Sequence, residues 1–278
     1  MKLYKTDKGI FLEFKGNLFA SKQGPWDAFF QQDNLYQVLE AEISSTHSIG
    51  SPELLKDLNV LAPIQSQEIW AAGVTYTRSR DARMEESKNA GGGSFYDMVY
   101  DAPRPELFFK GTAYRCVGPG AKVRIRKDST WNVPEPELTL AINAYGKIIG
   151  YTVGNDMSSR SIEGENPLYL PQAKTYDGSA SIGPCILVSP TPISPDTKIH
   201  MQIKRKDSVM YSDEIAINKM KRSHTELVDF LFRECSFPLG CFLMTGTCLV
   251  PPNDFTLQPG DETIIRIDGI GELHNYIE

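Results

Sequence analysis

Residues 135–160 read EPELTLAINAYGKIIGYTVGNDMSSR, and this stretch decides the fold. The runs LTLAIN, ending at Asn143, and KIIGYTV, starting at Lys147, are two β-rich segments around Gly146. They spell an antiparallel hairpin with a tight turn at 143–147. Strand side chains repeat every second residue, so Glu135 and Glu137 project from one face. Symmetric pairing about the turn sets Glu135 opposite Asn155 and beside Asp156. Three carboxylates then converge on one end of a sheet. Unpaired, they would repel one another and could not all stay ionised when partly buried. A hard divalent cation resolves the conflict, and carboxylate oxygens suit Mg²⁺, Mn²⁺ or Ca²⁺. Spacing by itself leaves a second reading open. A Glu-x-Glu pair also marks a solvated sheet face, and Asp156 before Ser158 and Ser159 also suits a helix cap or turn.

On either side, short apolar runs alternate with Gly and Pro: LFFKG, AKVRIRK, CILVSP and KIHMQIKR. That rhythm predicts a mostly β (α+β) protein. The first 20 residues alternate strand-like runs and turns. Residues 25–39 suit a helix, with Trp26, Phe29, Phe30, Leu35 and Leu39 as core contacts. Pro63 marks a junction, dividing a small N-terminal domain, 1–62, from a large one, 63–278. Residues 77–89 suit a polar helix, followed by Gly91-Gly92-Gly93. That run lacks a phosphate loop's lysine and reads equally as a lid edge or a surface turn. Ser223 with Glu226 three residues on predicts a capped helix through LVDFLFREC.

The chain has 278 residues and 31.1 kDa, with 41 % hydrophobic residues, enough for an ordinary globular core. A net charge of −6 argues against general attraction to nucleic acid or anionic membranes. No run approaches the ~20 apolar residues a membrane span needs. Five cysteines, 116, 185, 235, 241 and 248, are odd in number and never form Cys-x-x-Cys. Free thiols and a cytoplasmic protein follow.

The order of segments resembles the fumarylacetoacetate hydrolase superfamily over residues 66–278. The matching pieces are Glu135-x-Glu137, Asp156-Met-Ser-Ser-Arg160, Lys174-Thr-Tyr-Asp177 leading to Gly183-Pro184, and Met244-Thr-Gly-Thr247. Pro259-Gly-Asp261 and Gly269-Ile-Gly271-Glu-Leu273-His-Asn275 complete the set. Tyr100-Asp-Ala-Pro-Arg-Pro-Glu106-Leu-Phe-Phe-Lys110, Arg115-Cys-Val-Gly118 and Glu165-Asn-Pro-Leu-Tyr-Leu-Pro-Gln172 are similar to its 2-keto-3-deoxy-arabinonate dehydratase branch. The resemblance implies a β-rich roll of mixed sheets, a Mg²⁺ cofactor and a homodimer or homotetramer. It also implies dehydration of a 2-keto-3-deoxy sugar acid, with Glu135, Glu137 and Asp156 as metal ligands.

Such a dehydration must remove a proton from C3 and expel the C4 hydroxyl. A cation on the 2-keto oxygen and carboxylate would lower the energy of the enolate. Glu106 is the candidate acid/base, although it also suits a salt-bridge partner of Arg104 or Lys110. Lys174 is the candidate to bind the substrate carboxylate, stabilise the enolate or supply a proton. Thr247 and Arg80 are further candidates for substrate contact. C–C hydrolases of the superfamily carry a histidine after a Gly-x-Asn-Tyr motif. Here Gly73-Val-Thr75-Tyr76-Thr-Arg78-Ser79-Arg80 has none, which disfavours water attack. Two alternatives remain: a hydrolase, isomerase or decarboxylase of another 2-oxo acid such as an acylpyruvate, and a non-catalytic acid-binding member.

Overall fold

The strand Pro136–Ile142 is buried at every position, which requires apolar cover on both faces of its sheet. The computed structural model describes residues 1–79, 84 and 98–278. Arg80, the Gly91-Gly92-Gly93 run and most of the expected helix at 77–89 lie outside the described residues. The main sheet runs in the order Asn17–Ala20, Gly9–Phe14, Lys2–Thr6, Ala180–Leu187, Ile148–Asp156, Pro136–Ile142, Cys241–Met244, Glu68–Gly73 and Glu106–Thr112. Cys116–Val117 pairs alongside Ala180–Leu187. A five-stranded sheet runs Ser208–Ala216, Lys198–Arg205, Glu262–Ile267, Gly271–Ile277 and Lys122–Val123. The strand-rich expectation and the mixed-sheet architecture hold.

Alternation along the central strands feeds two cores. Leu138, Leu140 and Val153 pack with Ile199, Met201, Ile265 and Leu273 of the five-stranded sheet. Ala141, Ile182, Phe242 and Met244 face the other way, onto Leu3, Leu12 and the N-terminal helical segments. All five apolar residues expected at 25–39 are buried, but the helix is split. A 3₁₀ turn, Trp26–Gln31, precedes an α-helix, Leu35–Ser44. The Lys2–Thr6 strand pairs Leu3 with Ile186, so the first residues extend the main sheet. Trp26 Nε1–H donates to the Pro63 carbonyl at 3.1 Å. The helix His224–Phe232 begins as expected, with Ser223 Oγ accepting from the Glu226 N–H at 3.1 Å.

The hairpin forms with one correction. Asn143 Oδ1 accepts from the N–H groups of Tyr145 and Lys147 at 3.0 and 2.8 Å, and Gly146 takes φ +74°. Ile142 pairs with Ile148, but Ala141 then pairs with Gly150, leaving Ile149 as a bulge. A Cβ on Gly150 would lie 2.4 Å from Ile186 Cγ2 and 2.9 Å from the Leu187 carbonyl oxygen. Glycine is therefore needed where the bulge meets the next strand. The bulge shifts the register by one residue. Pro136, not Glu135, lies opposite Asn155, and the Asp156 N–H donates to the Glu135 carbonyl at 2.9 Å. Directly opposed residues share a face, so the shift aims Asp156 to the side of Glu135 and Glu137.

Candidate metal centre

Glu135, Glu137 and Asp156 each offer an oxygen to a cluster in which these atoms lie within 4.8 Å of one another. All three are buried, between 1 and 3 % exposed, so the solvated-face reading of Glu-x-Glu does not apply. Ser159, not Asp156, caps the helix Arg160–Glu165, its Oγ accepting from the Ile162 N–H. Gly154 sits opposite Glu137. A Cβ there would lie 2.2 Å from Thr139 Oγ1, so glycine leaves room on the carboxylate face.

Cations close around the cluster. Lys174, at the end of the short helix Leu170–Lys174, is fully buried. Its Nζ lies 2.6 Å from Glu135 Oε2 and 3.1 Å from Asp156 Oδ2, and donates to Ser158 Oγ at 2.5 Å. Lys110 Nζ lies 2.6 Å from Asp156 Oδ1, and Arg160 Nη2 lies 2.8 Å from Glu135 Oε1. Burial pulls the Lys110 ammonium below the ordinary lysine range, while Asp156 pushes it back up. Glu137 makes no ion pair among the described residues and accepts from the Gly246 N–H at 2.6 Å. Burial first, then the charges of Asp156 and Glu135, push its carboxyl well above the ordinary range. A divalent cation would relieve that burial of like charge, and an all-oxygen donor set suits a hard ion. The residues present therefore fit the group expected of them.

A narrow cleft leads to the cluster, lined by Gly73, Phe108, Lys174, Gly246 and Thr247 among others. Gly246 takes φ +99°, and a Cβ there would strike Thr75 Oγ1 at 2.0 Å. The turn thus presents the Gly246 N–H to Glu137 and places Thr247, whose buried hydroxyl has no partner among the described residues. Val74 lines the same cleft at φ +53°, a conformation costly for a β-branched residue.

Glu106 pairs with Gly73, and its Oε2 is buried without a partner among the described residues. A Cβ on residue 73 would meet that oxygen at 2.0 Å, so Gly73, which lines the cleft, makes room for the carboxylate beside it. No salt bridge joins Glu106 to Lys110 or Arg104 among the described residues. Four residues along a strand span about 13 Å, too far for the first pair, and Arg104 lies over the Phe230 ring. A larger groove of about 810 Å³, beside the helix His224–Phe232, has no cluster of carboxylates among its described lining residues.

Among the described residues no histidine lines the cleft. His200 and His274, both on the five-stranded sheet, lie 3.0 Å from Glu214 and 3.1 Å from Asp268, and 2.9 Å from Glu262, respectively. The five cysteines are free, and burial pushes the thiols of Cys116 and Cys185 up to about 12. Among the described residues no helix is long and apolar enough to cross a membrane. Lys110, Ser158 and the Gly246 N–H carry no signal in the sequence beyond membership of matched segments. Arg160 stood inside one of those segments with no role assigned.

The family described as "Fumarylacetoacetate (FAA) hydrolase C-terminal" matches residues 68–278. The chain is 49 % identical over 222 residues to the "Probable 2-keto-3-deoxyxylonate dehydratase" of Haloferax volcanii, covering 80 % of this chain and 75 % of that one. It is 41 % identical over 282 residues to the "2-dehydro-3-deoxy-D-arabinonate dehydratase" of Saccharolobus solfataricus, covering 98 and 95 %. A solved 2-keto-3-deoxy-D-arabinonate dehydratase, complexed with magnesium and 2,5-dioxopentanoate, superposes with a TM-score of 0.85 at 32 % identity. The match covers all of this chain and 99 % of that one.

Proposed function

The chain belongs to the fumarylacetoacetate hydrolase family, and from that premise we propose that it is a Mg²⁺-dependent hydro-lyase acting on a 2-keto-3-deoxy sugar acid. The observation that carries the reading is the convergence of Glu135, Glu137 and Asp156 in a buried cleft beside Lys174. Relatives named as dehydratases of such acids, and a neighbour holding magnesium, support it.

Glu135, Glu137 and Asp156 would hold the cation. When bound, it supplies a Lewis acid for charge developing on a 2-oxo acid. The rest falls to side chains. Glu106 would take the C3 proton or protonate the departing C4 hydroxyl, a role supported by its buried Oε2 beside Gly73, which has no partner among the described residues. Lys174 brings an ammonium to the same cleft, suited to the substrate carboxylate or the enolate charge. Thr247 offers a hydroxyl with no partner among the described residues, from a turn locked by Gly246. Arg80 stays a candidate contact. One water leaves per turnover, carrying the C3 hydrogen and the C4 hydroxyl, and leaves an α,β-unsaturated 2-oxo acid.

Among the described residues no histidine lines the cleft to activate a nucleophilic water, which supports elimination over water attack. Incubation with Mg²⁺ and 2-keto-3-deoxy pentonates, 6-deoxyhexonates and acylpyruvates tests the proposal. Water loss from a 2-keto-3-deoxy acid is expected. Cleavage of the acylpyruvates alone would replace it with the hydrolase reading. A homodimer or homotetramer, a cytoplasmic setting and a division near residue 62 complete the proposal. Light scattering on purified protein reads the first directly.

A further inference from the structure

Val74 is the strained residue of the cleft. It follows the last residue of the strand Glu68–Gly73 and takes φ +53°, where a β-branched side chain crowds its own backbone. Glycine would make the same turn without that cost. Such a conformation persists only where the surroundings enforce it, and it gathers at ligand sites. Here Thr75 Oγ1 donates to the Thr245 carbonyl at 2.7 Å, and the Lys221 N–H donates to the Thr75 carbonyl at 2.9 Å. Ser79 Oγ donates to the Tyr76 carbonyl at 2.8 Å. These bonds hold the chain on the far side of Val74 as firmly as the strand holds it on the near side.

Among the described lining residues of the cleft, Ala72, Val74 and Phe108 are apolar, and the others are charged, hydroxyl-bearing or glycine. Ala72 packs into the core beneath the five-stranded sheet, and Phe108 packs against the other core. Val74 is 5 % exposed, yet it belongs to neither core among the described residues. Its neighbour Gly73 makes room for the Glu106 carboxylate. Glu106 has been assigned the C3 proton or the C4 hydroxyl, so the C3–C4 bond of the substrate must lie beside residues 73 and 74. In a 2-keto-3-deoxy acid C3 is a methylene, whereas an ordinary 2-keto sugar acid carries a hydroxyl there. A hydroxyl pressed against an apolar wall loses its water and gains no partner. We propose that Val74 is a specificity-determining residue, its isopropyl group forming the apolar wall for C3 and rejecting 2-oxo acids with a hydroxyl at that carbon. The proposal rests on the function proposed above and adds to it the substrate feature that the cleft recognises.

Calorimetry in the presence of Mg²⁺ measures binding of 2-oxopentanoate and of 3-hydroxy-2-oxopentanoate, with folding followed by circular dichroism. Neither acid carries a C4 hydroxyl, so neither can lose water by this route, and they differ only at C3. Wild type should bind the first about 10- to 100-fold more tightly, the span over which an apolar pocket rejects an added hydroxyl. Val74→Thr keeps the branched shape and offers the C3 hydroxyl a partner. The preference should then shrink about two- to ten-fold, the worth of one hydrogen bond. Val74→Ala opens the wall to water, should shrink the preference in the same direction, and carries the test should Val74→Thr not fold. A merely structural valine would change both affinities by one factor, so an unchanged preference in folded variants would overturn the proposal. A wild type without the preference would also overturn it. Binding of neither acid by wild type would overturn the 2-oxo acid reading itself, a failure separate from that of selectivity.

Discussion

Lys174→Met gives the most direct test of how the cleft is held together. The Lys174 ammonium lies 2.6 Å from Glu135 Oε2 and 3.1 Å from Asp156 Oδ2, with no exposure to solvent. Methionine fills a similar volume but leaves those two oxygens facing each other without a cation between them. Arg160 and Lys110 still hold the far oxygens, so the carboxylates cannot swing apart. Removing one partner of a buried ion pair costs about 3–5 kcal/mol. At roughly 2 °C per kcal/mol for a chain of this length, the metal-free variant should melt about 6–10 °C below wild type. A divalent cation restores positive charge at the same oxygens, so saturating Mg²⁺ should close much of that gap. Turnover should not recover with stability, because the ammonium itself is gone. Calorimetric melting of both proteins with and without Mg²⁺, with a turnover assay on each, separates these effects. Equal melting temperatures without metal would show that the ion pairs carry no net stability. Normal turnover would remove Lys174 from the reaction.

Glu106→Gln keeps the shape of the cleft wall and should lower kcat at least 100-fold, the usual span of a general acid or base, with Mg²⁺ affinity intact; parallel loss of both would make Glu106 a ligand instead. Glu137→Gln should weaken Mg²⁺ binding, and chelation should abolish activity until Mg²⁺ is returned. The raised Glu137 carboxyl means that the folded, metal-free protein holds a proton that the unfolded chain releases. Its contribution is present below the ordinary carboxylate range and is lost as pH rises through the raised value. The rise in melting temperature produced by Mg²⁺ should therefore grow as the pH is raised above the ordinary carboxylate range, and a flat profile would refute the assignment. Alkylation of native protein should leave turnover intact, because burial keeps Cys116 and Cys185 as thiols at neutral pH; substrate-protected inactivation would contradict this.

Local patterning was legible wherever one residue type forces one conformation. Asn143 and Gly146 announce the hairpin turn, Ser223 and Glu226 announce a helix start, and period-2 alternation places Glu135 and Glu137 together. The segment order identified the family, and with it a set of candidate ligands. Arg80 alone among the candidate site residues lies outside the described residues.

What the linear chain could not carry is the register and the neighbours. The Ile149 bulge depends on Ile186 and Leu187, which crowd Gly150 from a strand more than 30 residues further along the chain. Without that bulge Asp156 would point to the opposite face, and the three-carboxylate cluster would not form. Lys110 and Asp156 meet although their strands, Glu106–Thr112 and Ile148–Asp156, are not neighbours in the sheet order. A lysine four residues after a glutamate on a strand looks like its partner, yet the strand rise holds the two about 13 Å apart. The sequence by itself determined the strand-rich class, the family and the donor types. Tertiary packing decided which oxygens are pinned, which face each other and which are left for a cation, because those depend on contacts between residues far apart in the chain.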